Sequence, residues 1–152
     1  VGSGPFPTEL HDEQGETLRR AGHEFGATTG RPRRCGWLDL PALHYAARLS
    51  GVNKLIVTKA DVLSDFGEVK VAVRYEGTHS HRDSYPTHQD ACIPVYRTFE
   101  GWSLTPGKNY QRLEELPMAL RAYLNFLEES LDCPVHWVSL GPERQSTLQT
   151  RP

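Results

Sequence analysis

Between Leu116 and Leu131 the apolar residues Leu116, Leu120, Tyr123, Leu124, Leu127 and Leu131 recur at the three- and four-residue spacing of one helical face. This predicts an amphipathic helix whose stripe must be covered, with Glu114 or Glu115 suited to its positive N-terminal end. The clearest strand is Glu68 to Tyr75, where Val69, Val71, Val73 and Tyr75 fall on one side of a period-two pattern. A second strand candidate, Ile93 to Phe99, ends at the Glu100-Gly101-Trp102 turn.

Shorter signals complete the outline. His11 to Gly22 reads as a short helix with Gly22 near its C-cap, and Leu40, Leu43, Ala46 and Ala47 fall at helical spacing after Asp39, a candidate N-cap. Gly51 stops that second helix. Leu55-Ile56-Val57 is a continuous apolar run of the kind that fits a strand buried on both faces. Pro134 to Ser139 gives another short strand, followed by a Gly-Pro turn and a polar tail expected to fray. Two helices, three strands, a helix and a strand in this order predict an α/β fold, a mixed sheet with flanking helices, in one domain over residues 1–152.

Composition removes several function classes. With 17 Lys and Arg against 19 Asp and Glu, the formal charge is -2, so the chain lacks the basic excess of a protein that wraps nucleic acid, and any anion site must be local. No apolar run approaches the roughly 18–20 residues that cross a bilayer. Cys35, Cys92 and Cys133 are odd in number and far apart, which suggests neither a disulfide framework nor a Cys-x-x-Cys metal pair and leads us to expect reduced thiols in a cytoplasm. The opening VGSGPFPTEL has no charged region followed by an apolar one, so it does not read as a signal peptide; it reads as part of something longer.

The chemistry gathers in three places. Ala27-Thr28-Thr29-Gly30-Arg31-Pro32-Arg33-Arg34 sets three guanidinium groups in four residues behind two hydroxyls and a glycine. Such a loop reads as a compact donor array for carboxylate or phosphate oxygens, because arginine offers a planar bidentate fork. The bland alternative is a solvated basic loop, against which stand the flanking Glu24-Phe25-Gly26 and Cys35-Gly36-Trp37. Thr58-Lys59-Ala60-Asp61 follows an apolar strand, where open α/β sheets bind ligands. A carboxylate there can accept two N–H bonds from the N1/N2 edge of guanine, which adenine does not present, while the lysine stem lies along the base. Ser139-Leu140-Gly141-Pro142 also follows a strand, and its backbone N–H groups could bond a base carbonyl. His79, His81, Asp83, His88, Asp90 and Cys92 are possible metal ligands, but their spacing matches no common zinc pattern and the segment reads as a solvated loop. No nucleophile elbow, paired catalytic carboxylates or glycine-rich phosphate loop is present.

Taken together, Val1 to Glu9, Gly22 to Trp37, Thr58 to Leu63, Tyr96 to Trp102 and Ser139 to Arg144 closely resemble the adenylosuccinate synthetases, over about the C-terminal third of that family's chain. The resemblance implies a P-loop-NTPase-like α/β fold and a purine-biosynthesis ligase that joins IMP and L-aspartate at the expense of GTP. In that reaction the 6-oxygen of IMP is phosphorylated by GTP and then displaced by the aspartate amine. Carried onto this chain, Ala27, Thr28, Thr29, Gly30, Arg31, Pro32 and Arg33 would form the aspartate-binding loop, with Arg31 also contacting IMP and Arg33 reaching GTP. Lys59, Ala60 and Asp61 would read guanine, with Ser139, Leu140 and Gly141 as the opposite wall.

The same resemblance implies a cytoplasmic homodimer that uses Mg2+, whose ligands, with the phosphate loop, catalytic aspartate and catalytic histidine, have no counterpart in this segment. No catalytic or metal-binding residue is therefore assigned here, and the segment alone is expected to be inactive. Ala60, Leu140 and the stretch from Gly77 to Asp90 depart from the family's pattern without touching the charged contacts. A different class remains open: a non-catalytic anion- or nucleotide-binding module built on the arginine-rich loop, whose binding would fall steeply with salt.

Overall fold

The computed structural model describes residues 3–83, 85–86 and 91–151. In chain order its elements are α1 (Glu13–Ala21), β1 (Leu38–Asp39), α2 (Leu40–Leu49), β2 (Leu55–Val57), β3 (Glu68–Tyr75), β4 (Pro94–Glu100), α3 (Met118–Leu131), β5 (Val135–Ser139) and β6 (Thr147–Gln149). They fall into two compact units, one from Val1–Tyr45 and Lys70–Thr98, the other from Ala46–Val69 and Phe99–Pro152. No helix among the described residues is long and apolar enough to cross a membrane.

In the first unit α1 begins where Asp12 accepts a hydrogen bond from the Gly15 N–H (3.1 Å), and Glu13 and Glu16 in its first turn, Arg19 and Arg20 in its last, complement the helix dipole. Gly22 caps the C-terminus in a right-handed conformation, and it is His23 that turns left-handed, with φ 50°. The sheet order is β1-β3-β4, with Leu38 and Asp39 of β1 parallel to Val71 and Ala72 of β3. Asp39 both ends β1 and caps α2, its Oδ1 accepting from Ala42 N–H at 3.0 Å and its Oδ2 from the Tyr75 hydroxyl at 2.7 Å. Burial, helped by that bond to Asp39, pushes the Tyr75 hydroxyl well above its ordinary range.

The second unit carries a mixed sheet, β2-β5-β6, in which β2 runs parallel and β6 antiparallel to β5. On it lies α3, which buries Leu120, Tyr123, Leu124 and Leu127 as its spacing requires; Val135, Val138 and Leu148 are buried apolar sheet positions, and His136 is buried beside them. Burial alone raises the Tyr123 hydroxyl to about 12. Asp132 ends α3 at φ 50°, a conformation a short polar side chain tolerates.

The α/β class and the mixed sheet hold, and several details are corrected. Ile56 is 60% exposed, so β2 is not buried on both faces in this chain. The polar tail does not fray: it forms β6, because Leu148 buries against β5 while its neighbours face outward. Glu114 and Glu115 belong to a separate 3-10 turn, Leu113–Glu115, ahead of α3.

Candidate functional site

Within the first unit the arginine-rich loop is a narrow closed turn. Gly26 N–H donates to the Arg31 carbonyl and Gly30 N–H to the Gly26 carbonyl, both at 2.8 Å, and Phe25 bridges Pro32. Gly30 sits at φ +64°, where a side chain would be strained. A Cβ on Gly26 would come within 2.9 Å of Thr29 Oγ1. Every residue from Ala27 to Arg33 is solvent-exposed.

The three arginines do not form one array. Arg34 turns inward, donating from Nε to Glu9 Oε2 (2.6 Å) and from Nη1 to the Gly4 carbonyl (2.7 Å), with its guanidinium 5.3 Å from the Phe6 ring centre. That hydrogen bond holds the Glu9 carboxyl below the usual carboxylate range. Arg34 thus fastens the segment around Glu9, which also bridges Gly36, where a Cβ would meet the Thr8 carbonyl oxygen at 2.2 Å. Arg33 is tethered more loosely: its Nη1 lies 3.0 Å from Glu24 Oε2, its N–H bonds the Glu24 carbonyl, and its own carbonyl accepts from Arg19 Nε at 2.8 Å. Among the described residues Arg31 alone of the three has no ion-pair partner. Sequence shows three equal charges; carboxylate placement leaves one free.

Within the second unit, Lys59, Ala60 and Asp61 turn sharply after β2. Lys59 takes φ 59°, Ala60 N–H bonds the Ser139 carbonyl at 3.0 Å, and Ser64 N–H bonds the Asp61 carbonyl at 2.9 Å. The buried Trp102 locks this turn by donating its indole N–H to the Ala60 carbonyl at 3.0 Å. Ala60 is 2% exposed, so the small residue at this position belongs to the packing.

Beside the turn lies a cavity of about 470 Å³. Asp61 and Ser64 line one side, Leu140 and Gly141 another, and the loop from Leu104 to Tyr110 completes it. Two polar atoms in this wall are buried with no partner, Asp61 Oδ1 and Ser64 Oγ. Buried polar atoms are normally paired, and both of these belong to residues that line the cavity, so a ligand seated there could supply the donors they lack. Leu140 N–H is already spent on the Ser146 carbonyl (2.9 Å), leaving the Gly141 N–H as the unpartnered donor of that turn among the described residues. Lys59, Ala60 and Ser139 hold the frame without lining the cavity.

The sequence reading did not single out Ser64, or Lys108 and Tyr110, which also line it. The Tyr110 hydroxyl accepts from Thr105 N–H at 3.0 Å and the Lys108 ammonium lies 4.5 Å over the Tyr110 ring, so this loop is a built wall. Pro106-Gly107 marks a turn in sequence, yet nothing there signals a ligand.

The histidine-rich loop is organised locally: Asp83 accepts from the N–H groups of His79 and Ser80, at 2.6 and 3.2 Å, which lowers its carboxyl, and His81 packs edge-on to His44. His88 and Asp90 lie outside the described residues, among which no group of three His, Cys, Asp or Glu side chains could hold a metal.

Comparison with known proteins supplies the context. The family model described as adenylosuccinate synthetase matches residues 1–148. The chain is 50% identical to the adenylosuccinate synthetase of Cytophaga hutchinsonii over 153 aligned residues, covering 97% of this chain and 35% of that protein. It is 46% identical to that of Thermotoga maritima, covering 98% of this chain and 34% of that protein. The structure of fully ligated adenylosuccinate synthetase from Plasmodium falciparum superposes with a TM-score of 0.89 at 35% identity, over 99% of this chain and 37% of that one. The chain thus spans about a third of the length of the curated relatives it matches.

Proposed function

Since the chain belongs to the adenylosuccinate synthetase family, we propose that it supplies two binding elements of a GTP-dependent ligase that joins IMP and L-aspartate into adenylosuccinate in purine biosynthesis. The observation that carries this reading is the unpaired, buried Asp61 Oδ1 at the cavity beside β2. A carboxylate there accepts from guanine N1–H and N2–H, and adenine offers no such pair of donors. The Gly141 N–H donates to the base carbonyl, and Lys59, which stands in the turn outside the cavity lining, swings its stem over the base when the nucleotide binds.

In the other unit the exposed turn from Ala27 to Arg33 takes the aspartate substrate. Arg31, without a protein carboxylate of its own, pairs with a substrate carboxylate, helped by Thr28 and Thr29, and contacts IMP. Arg33, held to Glu24, exchanges that partner for GTP when the nucleotide is bound. These groups position reactants and neutralise charge, which is most of what a protein contributes to phosphoryl transfer. The same reading makes the intact enzyme a cytoplasmic homodimer that uses Mg2+. The described residues hold no group of three His, Cys, Asp or Glu side chains for that metal. The rival, a polyanion-binding module, is disfavoured because two of the three loop arginines are already paired with carboxylates.

The test is turnover by the full-length protein. With IMP, L-aspartate and GTP we expect adenylosuccinate, and Arg31→Leu should lower kcat/KM for aspartate by about tenfold to a hundredfold, since a substrate carboxylate loses its charged partner. Unchanged aspartate kinetics would refute the loop assignment.

A further inference from the structure

We propose that Ser64 is a second specificity-determining residue of the guanine pocket, its hydroxyl accepting the N2 hydrogen of the base that Asp61 leaves unbonded. The inference rests on the guanine reading of the cavity and adds to it a residue whose chemistry Asp61 cannot supply. A guanine Watson–Crick edge presents N1–H and an amino group with two hydrogens. One carboxylate in a two-bond contact takes N1–H and one N2–H, so the second amino hydrogen needs another acceptor.

Ser64 stands three residues after Asp61, tied to it by the 2.9 Å bond from its N–H to the Asp61 carbonyl. It is also held by a parallel bridge to Trp102, the residue whose indole fixes the Ala60 carbonyl. Both side chains line the same cavity, and both carry a buried polar atom without a partner. A serine used for the fold would spend its hydroxyl on a backbone group, as Thr8 does on the Trp37 carbonyl. Ser64 does not, and its hydroxyl hydrogen can turn about the Cβ–Oγ bond so that the oxygen presents a lone pair to a ligand.

An unpaired buried hydroxyl costs stability until something bonds it. Removing it therefore has opposite effects on fold and binding, a pattern that a purely structural serine does not produce. In the full-length ligase we expect Ser64→Ala to raise the melting temperature without nucleotide and to weaken GTP binding about fivefold, the worth of one neutral hydrogen bond. Binding of ITP, which lacks the 2-amino group, should be unchanged.

Calorimetric titration of GTP, ITP and ATP into wild type, Ser64→Ala and Asp61→Asn separates the possibilities. Loss of GTP affinity in Ser64→Ala with ITP unaffected supports the assignment. Equal loss for GTP and ITP, or no loss for either, overturns it while the Asp61 reading stands, provided Asp61→Asn weakens both nucleotides. A wild type that does not prefer GTP to ATP overturns the guanine reading itself. Should Ser64→Ala instead lower the melting temperature and weaken GTP and ITP alike, the hydroxyl is structural and the proposal falls; Ser64→Thr, which keeps an acceptor, should retain the GTP over ITP preference that Ser64→Ala loses, and its loss in both variants would overturn the assignment as well.

Discussion

Trp102→Phe tests whether the candidate pocket depends on one buried hydrogen bond. Trp102 is 3% exposed, donates its indole N–H to the Ala60 carbonyl at 3.0 Å, and lies 5.3 Å from the Tyr123 ring centre. Phenylalanine keeps an aromatic ring but has no donor and fills less space. Leaving the carbonyl of the buried Ala60 unpaired costs about 1–3 kcal/mol. The void left by the smaller ring adds about 1–2 kcal/mol. The expected loss is therefore about 2–5 kcal/mol, which for a chain of this size lowers Tm by roughly 4–20 °C. Urea denaturation followed by far-UV circular dichroism reads the loss, and because the Ala60 carbonyl is also the pivot of the Lys59–Asp61 turn, GTP affinity should fall with it. A loss below about 0.5 kcal/mol, the range of an ordinary surface change, would show that the indole does not hold the turn.

Other perturbations probe separate parts of the chain. Leu120→Ala, at a fully buried position of α3, should cost about 2–5 kcal/mol in the same denaturation experiment. Gly36→Ala should prevent Thr8 and Gly36 from meeting, since the new Cβ would lie 2.2 Å from the Thr8 carbonyl oxygen, and is expected to lower the yield of folded protein, read by soluble expression. Arg34→Leu should destabilise the fold while Arg31→Leu leaves Tm unchanged, a contrast thermal melts can check. The Glu9 carboxyl, lowered by Arg34, contributes stability that is present above its unfolded value of roughly 4.3 and is lost as pH falls through its lower folded value. Glu9→Gln should therefore flatten stability against pH below about 4.5, measured by denaturation across that range.

Elements with strong periodicity were legible: α3 from its leucine spacing and β3 from its alternation, because the order of apolar residues defines a face to bury, although β3 also buries Ala72 on its opposite face and leaves Val73 half-buried. β1 was not, since two residues joined parallel to β3 carry no period of their own. β6 was hidden by its polar residues, with only Leu148 turned inward against β5. The exposure of Ile56 runs the other way: an apolar run shows what a strand could bury, and only its neighbours decide what it does bury.

The site was legible as chemistry and not as geometry. Thr28 to Arg33 stood out through arginine, glycine and hydroxyl content, but nothing in the spacing told which guanidinium Glu9 or Glu24 would capture. Asp61 was visible as a carboxylate after an apolar strand, whereas Ser64 gained meaning only once its hydroxyl was found buried, unpaired and beside the same cavity. Trp102 was visible as the end of a turn; its bond to Ala60 links positions far apart in the chain.

The central claim, that Asp61 reads the edge of guanine, is tested most directly by titrating GTP and ATP into the full-length protein and its Asp61→Asn variant. GTP should bind far tighter than ATP to the wild type, and the variant should lose about tenfold to a hundredfold in GTP affinity, as expected when a charged acceptor of two hydrogen bonds is replaced. GTP affinity unchanged by Asp61→Asn, or ATP bound as tightly as GTP by the wild type, would contradict it.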